Sequence, residues 1–303
     1  MPPITDLEHR LGRAAQASFG PHTLAADLAL FILKQGWACL FGGLLLAGIL
    51  ASHALWQADW PLARYDALFL YALALQAIFL ATGLETRDEA RVILAFHLTG
   101  TAMEWFKVGA GSWAYPEPGL FKLLDVPLFS GFMYASVGSY IARVIRIFDM
   151  RFAPMPPRLA ALALAVAIYV NFFAHHFLPD IRLMLFAATL LLYGRSRIQF
   201  RMRRHAAARW WAMPLPLAAL LSAGALWLAE NIGTLTGTWL YAGQRAHDPV
   251  SFAKLGSWYL LLYVAFTTVT LVSRPEASPP ELGHHNDQRH HHDQPESHLR
   301  RDG

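Results

Sequence analysis

Apolar residues along the chain are gathered into long runs that are separated by short polar connections. A helix that crosses the hydrocarbon core of a bilayer needs roughly 20 mainly apolar residues. The pattern therefore predicts an all-α polytopic membrane protein with about eight transmembrane helices, of which the sixth is short and depends most on its neighbours. The runs are 36–56, 67–83, 92–110, 126–147, 159–178, 181–194, 211–229 and 250–272.

The chain on either side of these runs is polar. In residues 1–35, Leu7, Leu11 and Ala14 share one helical face, which fits a short helix on the membrane surface, and a solvated leader fits equally well. Residues 273–303 are rich in proline and histidine and are predicted to be a disordered cytoplasmic tail. The tail histidines could bind nickel or zinc loosely, although a solvated tail is the simpler interpretation.

Composition supports a membrane protein. Of the 303 residues, 55% are hydrophobic and only 15% are charged, and the mean hydropathy is +0.32. A net charge of +4 would suggest nucleic-acid binding in a soluble protein, but here the basic residues lie between apolar runs, so we exclude nucleic acid as a partner. The lone Cys39 excludes an intramolecular disulfide and a cysteine-based metal site.

The basic residues also predict an orientation. Both termini and every second connection together hold 19 of the 25 lysines and arginines, whereas the alternate connections hold 6. Because cytoplasmic loops carry the excess of lysine and arginine, both termini are predicted to be cytoplasmic.

One stretch occurs twice. Residues 104–115 read EWFKVGAGSWAY and residues 230–241 read ENIGTLTGTWLY, and the two align without a gap. These twin stretches follow the third and seventh runs, four helices apart. We therefore predict a membrane domain built as two parallel four-helix halves, with both twin stretches on the outer side. The domain spans 36–272, and its halves are 36–147 and 159–272.

Ionisable residues inside apolar runs are functional candidates, because burying a charge in hydrocarbon is costly. Glu104 and Glu230 begin the twin stretches and could act as general acid and general base. His97 lies two turns before Glu104 on about the same helical face. His175 and His176 end the fifth run, where at most one of them can face a given site. These five residues are the predicted catalytic set.

Aromatic and polar neighbours complete the predicted site. The residues predicted to bind substrate are Trp113, Tyr115, Trp239, Tyr241, Asn231, Asn171 and Asp180. The aromatic residues equally suit the belt at a membrane-water interface, and the carboxylates and histidines equally suit hydrogen bonds between helices. Histidine and carboxylate could also hold zinc, iron or manganese, but the sequence has no HxxxH, HxxE or HExxH spacing, so it leaves the metal open.

The segments EWFKVGAGSWAYPEPG, VPLFSGFMYASVGSYIARV, ENIGTLTGTWLY and WYLLLYVAFTTVTL resemble an uncharacterised bacterial integral-membrane family, domain of unknown function 817. The likeness runs from about residue 60 to 274. It implies a multi-pass protein of the bacterial inner membrane and brings no activity, substrate or cofactor.

Glu230, Gly233, Thr236 and Gly237 also resemble the E-x-x-G-x-x-T-G segment of carotenoid hydratases, which are membrane enzymes that add water across an isoprenoid double bond. The aromatic residues that follow come sooner in this chain than in that pattern. The likeness implies one chemical parallel, an acidic residue at the end of a helix.

Together these features favour a membrane-embedded enzyme that uses the paired glutamates, assisted by histidine, on an apolar or lipid-like substrate near the outer face. A proton-coupled secondary transporter that uses the same carboxylates is the first alternative. A structural membrane protein is the second. The sequence leaves the substrate, the cofactor and the oligomeric state open.

Overall fold

The computed structural model describes residues 10, 13, 14, 17, 23–57, 59–202, 209–245 and 248–273. Each predicted apolar run contains a helix, and one more helix occupies the predicted surface segment. The tail from residue 274 lies outside the described residues, as do most of residues 1–22. The helices are α1 Leu24–Ala38, α2 Leu40–Leu55, α3 Arg64–Ala81, α4 Arg87–Gly109, α5 Phe129–Ile147, α6 Arg158–Ala174, α7 Arg182–Tyr193, α8 Leu215–Leu235 and α9 Phe252–Ser273.

Short antiparallel strands occupy several connections, so the fold is mostly helical rather than purely α. A two-stranded ribbon pairs the ends of the twin stretches with each other, a hairpin follows it, and a three-stranded sheet has the order β4-β5-β6. The strands are β1 Trp113–Ala114, β2 Lys122–Leu123, β3 Val126–Pro127, β4 Arg151–Ala153, β5 Arg197–Arg201, β6 Trp210–Pro214 and β7 Leu240–Tyr241.

The ribbon and the sheet mark opposite ends of the helical body. Lys34 on α1 donates a hydrogen bond to the Ile147 carbonyl at 3.0 Å, next to the sheet. The connection between α3 and α4 reaches the same end through an ion pair of Glu85 with Arg143 at 2.9 Å. At the other end, the Tyr65 hydroxyl donates to the Thr238 carbonyl at 2.8 Å. The helices therefore alternate between a ribbon end and a sheet end, and the sheet end collects the basic connections.

Helix length determines which helices can cross a membrane alone. In the described part of the chain, α3, α8 and α9 are long and apolar enough to cross a bilayer, and α1 with α2, bent by 66°, adds a fourth span if the pair is counted as one. The 12 residues of α7 rise only ~18 Å, which is less than the hydrocarbon core of about 30 Å. Length and apolarity alone thus support three or four spans out of the predicted eight.

The outer surface of the helices is apolar. Large side chains such as Leu191, Leu183 and Leu159 are 86%, 82% and 78% exposed. A soluble monomer rarely exposes contiguous apolar surface on this scale. The exposed leucines therefore agree with membrane association.

A pair of buried charges ties the sheet end together. Glu85 and Arg143 have side-chain exposures of 0% and 1%, and Gln76 and Ser139 also donate to the Glu85 carboxylate. Burial raises the pKa of Glu85, and the hydrogen bond from Gln76 and the charge of Arg143 oppose that shift. Removing one member of such a pair leaves an uncompensated buried charge, so this network fixes α3 and α4 against α5.

The twin stretches end their helices with the same backbone motif. Gly111 has a φ of 68° and Gly237 a φ of 63°, both in the left-handed region that favours glycine. The amide of Ser112 donates to the Lys107 carbonyl, and that of Thr238 to the Gly233 carbonyl. This six-to-one bond with glycine at C′ is the Schellman motif, and it turns each chain directly into its strand of the ribbon.

We expect Gly233→Ala to lower the thermal stability of the protein, because a Cβ at this position would overlap the Trp239 ring. Overpacking of this kind costs about 1–3 kcal/mol. Gly224, on the same helix, has open space where a Cβ would lie, with no atom within 4 Å. Gly224→Ala should therefore be neutral or stabilising by about 0.5–1 kcal/mol. The melting temperatures of both variants are measured in detergent, with size-exclusion chromatography as the readout. Equal melting temperatures would contradict the packing of Trp239 on Gly233.

Candidate functional site

An apolar cavity of about 630 Å³ runs through the helical body, and both predicted glutamates line it. Glu104 is 1% exposed and Glu230 is 7% exposed. The cavity extends from these carboxylates towards residues of the sheet, including Phe152 and Phe200. Two acidic groups thus share one end of a long apolar space.

Glu104 receives three hydrogen bonds. Oε2 accepts from Trp113 Nε1 at 2.8 Å and from the Tyr115 hydroxyl at 2.9 Å. Oε1 accepts from the Tyr134 hydroxyl at 2.6 Å. Burial and the charge of Glu104 raise the pKa of Tyr115 well above its ordinary value, so the phenol keeps its proton and stays a donor. A buried carboxylate without such donors would be costly.

Glu230 is held by two aromatic donors. Oε2 accepts from Trp258 Nε1 at 2.7 Å, and Oε1 accepts from the Tyr241 hydroxyl in a short contact. Tyr241 follows Glu230 by the same interval as Tyr115 follows Glu104. The two carboxylates therefore have equivalent tyrosine donors from the twin stretches.

Two ring pairs connect the carboxylates across the cavity. Trp113, which bonds Glu104, lies 5.8 Å from the ring of Tyr241, which bonds Glu230. Tyr134, which bonds Glu104, lies 6.4 Å from the ring of Trp258, which bonds Glu230. Each pair gives a tryptophan to one carboxylate and a tyrosine to the other. Backbone pairing of Trp113 with Tyr241 in the ribbon fixes the first pair.

The donors from α5 and α9 were not predicted to belong to the site. Tyr134 reaches Glu104 because it packs directly over Gly100 on α4, where any Cβ would collide with its ring. The available signal was the loose correspondence of GFMY at 131–134 with GSWY at 256–259, one residue out of step. Those segments supply Tyr134 and Trp258.

Small residues form the wall of the cavity where α2 meets α8. These two helices contact each other, and each contributes small residues to the cavity lining. The residues are Gly42, Gly43, Ala218, Ala219, Ser222 and Ala225.

His97 does not line the cavity. Its ring packs 4.6 Å from that of Phe132 and against Gly131 on α5. His97 and Glu104 share a helical face, but two turns separate them by about 10 Å along the axis. His97 therefore contributes to the packing of α4 on α5.

His175 and His176 lie at the ribbon end, also outside the cavity lining. His176 Nε2 is 3.1 Å from Lys107 Nζ and 3.1 Å from the Ser112 hydroxyl. His175 Nδ1 contacts the Asn171 carbonyl at 3.1 Å, and the two imidazole rings are 4.2 Å apart. The histidines contact a lysine and not the glutamates.

The remaining predicted polar residues stabilise connections between helices. The Asn171 amide donates to Asp180 at 3.1 Å and its oxygen accepts from the Ile181 amide, which shapes the connection between α6 and α7. Asn231 donates to the Trp227 carbonyl and accepts from the Val250 amide. These contacts tie α8 to the start of α9 without reaching the cavity.

The predicted aromatic residues do line the cavity. Trp113, Tyr115, Trp239 and Tyr241 all border it, and Trp239 packs on Gly233. Within the described ranges, no group of three or more histidine, cysteine, aspartate or glutamate residues is placed to hold a metal ion.

Comparison with known proteins identifies the family of this chain. The model of a protein family of unknown function (DUF817) matches residues 27–266. The chain belongs to this family. A relative in it, the uncharacterised protein YoaT of Bacillus subtilis strain 168, is 38% identical over 248 residues, which cover 82% of this chain and 92% of the relative. No solved structure matches. The DUF817 match includes both twin stretches and every residue that donates to the two glutamates.

The histidines at the ribbon end should make the stability of this DUF817 protein depend on pH. Burial, with the charge of Lys107, lowers the pKa of His175 and of His176 from the ordinary 6.5. The unfolded chain then binds protons more readily than the folded one, so their contribution to stability is lost as pH falls through about 6.5.

We expect the melting temperature of the wild type to fall relative to that of the His175→Gln/His176→Gln double variant between about pH 7.5 and pH 5.5. The difference between the two proteins isolates the histidines from the carboxylates that titrate elsewhere. If the melting temperatures of the two proteins change in parallel over this pH range, the two histidines do not cause the pH dependence.

Proposed function

We propose that the chain is a membrane-embedded enzyme that transfers protons to and from an apolar, lipid-like substrate. The observation that carries this proposal is that Glu104 and Glu230 share one end of an apolar cavity of about 630 Å³. Two carboxyl groups in different surroundings can divide into a proton donor and a proton acceptor. The apolar walls leave the carboxyl end as the reactive part of the cavity.

Hydrogen bonding distinguishes the two carboxyl groups. Each donor stabilises the charged form of the group that accepts from it. Glu104 accepts from three donors and Glu230 from two. Burial and charge outweigh this difference, because Glu104 is 1% exposed against 7% for Glu230 and Lys254 attracts the charged form of Glu230. We therefore assign Glu104 as the general acid and Glu230 as the general base.

A carbon-carbon double bond is the substrate group that suits this pair. Glu104 donates its proton to one alkene carbon, forming a C–H bond and leaving a carbocation on the other carbon. Glu230 then removes a proton from the carbon next to the cation, and the electrons of that C–H bond form a shifted double bond. The result is an isomerisation that needs no oxidant or reductant. The faces of Trp113, Tyr134, Tyr241 and Trp258 border the reacting region, where aromatic rings stabilise a cation.

The bilayer is the proposed source of the substrate. The proposed route for an apolar chain passes between α2 and α8, where both helices line the cavity with small residues and where α8 is long and apolar enough to cross a bilayer. A cavity of this volume holds one drug-sized or lipid-sized chain. Entry from the side avoids passing an apolar substrate through water.

For the orientation, we propose an inner-membrane protein with α2 to α9 as eight crossings and the sheet end in the cytoplasm. The excess of arginine and lysine at the sheet end supports this direction. The ribbon end, with both carboxylates, then lies towards the outer face. The short α7 would cross only together with its neighbours α8 and α9, with which it is in contact.

We expect Glu104→Gln and Glu230→Gln each to reduce turnover of the apolar substrate by about 10²–10⁴-fold, the range that general acid-base catalysis supplies. Cells that express the wild type or a variant in place of the native copy are grown in deuterated water, and their lipid extracts are compared by mass spectrometry. The wild type should place deuterium on carbon in a product that both variants fail to form.

Glu117→Gln is the matched control, because Glu117 pairs with Arg64 at 2.7 Å at the ribbon end and does not line the cavity. Its lipid extract should match that of the wild type. Unchanged extracts from both cavity variants would exclude the enzyme. If those variants instead abolish proton-dependent uptake of a solute into vesicles, the carboxylates function in transport.

A further inference from the structure

A second group of polar side chains lies at the ribbon end, outside the cavity lining. Its centre is Lys107, which is 2% exposed although it carries an ammonium group. Lys107 Nζ lies 3.1 Å from His176 Nε2 and 4.1 Å from the centroid of the Phe172 ring. No carboxylate among the described residues lies within ion-pair distance of this ammonium, although a buried charge ordinarily has one.

Two further cations, Lys254 and Arg182, lie near enough to Lys107 to repel it electrostatically. Lys254 Nζ lies 3.7 Å from the centroid of the Tyr241 ring, on the ribbon next to Ser112. The three positive side chains come from α4, α7 and α9, so tertiary structure and not local sequence brings them together.

The helix ends add to this positive potential. Lys254 occupies the first turn of α9, which contains no acidic residue, whereas Asp180 accepts from the Arg182 amide at the start of α7. A helix N-terminus carries a partial positive charge that normally attracts Asp or Glu. Placing a lysine at the start of α9 costs stability unless an anion offsets the charge.

The nearby negative groups are already engaged. Asp180 pairs with Arg182 at 3.3 Å and accepts from Asn171. Glu230 attracts Lys254, but both Glu230 oxygens bind aromatic donors of the cavity. The cluster therefore keeps an excess of positive charge at Lys107 and Lys254.

His176, an exposed residue, is the side chain in direct contact with this ammonium. Burial and the charge of Lys107 lower the pKa of His176, so the ring is neutral at pH 7. The ammonium of Lys107 can only donate, so Nε2 accepts from it and the ring proton lies on Nδ1, with the Ser112 hydroxyl also 3.1 Å from Nε2. The neutral imidazole thus binds the buried ammonium without neutralising its charge.

We propose that Lys107 and Lys254, with Ser112 and His176, form a binding site for a phosphate group at the ribbon end. A phosphate offers the two charges and several acceptor oxygens that two ammonium groups and a hydroxyl can satisfy. The phosphate comes either from the head group of an anionic lipid or from solution. This site does not depend on the chemistry proposed for the cavity.

The test uses the full chain, purified in detergent, and measures its melting temperature as inorganic phosphate replaces chloride at constant ionic strength. Binding to the folded state raises stability with ligand concentration. Wild type should be stabilised, and Lys107→Met and Lys254→Met should each weaken the apparent affinity at least about tenfold, or 1.4 kcal/mol. Lys122→Met is the control, because Lys122 binds the carbonyls of Tyr115 and Glu117 at the same end and should leave the affinity unchanged.

A second arm identifies the source of the phosphate. The same proteins are placed in nanodiscs of phosphatidylglycerol or of phosphatidylcholine. Stabilisation by phosphatidylglycerol alone, lost in Lys254→Met, assigns the site to a lipid head group, whereas stabilisation by inorganic phosphate assigns it to a soluble anion. If Lys254→Met, which substitutes a partly exposed side chain, matches the wild type in both arms, the proposal is wrong. That conclusion does not require the Lys107 variant to fold.

Discussion

The need to satisfy two buried carboxylates with hydrogen bonds organises the ribbon end of this protein. Neither Glu104 nor Glu230 can be left bare in an apolar interior, and their partners come from the ribbon, from α5 and from α9. The Schellman motifs at Gly111 and Gly237 turn the chain so that the strands pair and their aromatic side chains point back at the glutamates. Helix packing, strand pairing and polar satisfaction thus depend on the same two residues.

The parts of the site that lie in the twin stretches could be predicted from sequence. Glu104 with Tyr115 and Glu230 with Tyr241 have the same spacing, and the structure brings each pair into a hydrogen bond. Local geometry within about a dozen residues decides these contacts. Tyr134 escaped prediction, because its contribution depends on how closely α5 packs on α4 at Gly100.

The contrast between local contacts and contacts made by helix packing also explains which other features the sequence did not locate. Periodicity put His97 on the face of Glu104, yet a face extends along the whole helix and the cavity meets α4 only at its carboxylate. The three-stranded sheet was not predicted, because β4 and the β5-β6 pair come from two connections far apart in sequence that meet only when the helices alternate. The membrane character of the chain rests on composition and is readable without tertiary structure.

The twin stretches are similar in backbone and unequal in chemistry, and one position accounts for much of the difference. Three residues after Glu230 the chain has Gly233, which lets the Trp239 ring lie directly on the helix. The corresponding residue after Glu104 is Lys107, whose side chain leaves no such space. Trp113, the counterpart of Trp239, instead donates its indole N–H to Glu104. A single glycine-to-lysine difference therefore gives one carboxylate a third donor and places an ammonium group beside the ribbon.

Symmetric transport would call for equal carboxylates, whereas acid-base chemistry calls for unequal ones. The divergence at this position favours an enzyme.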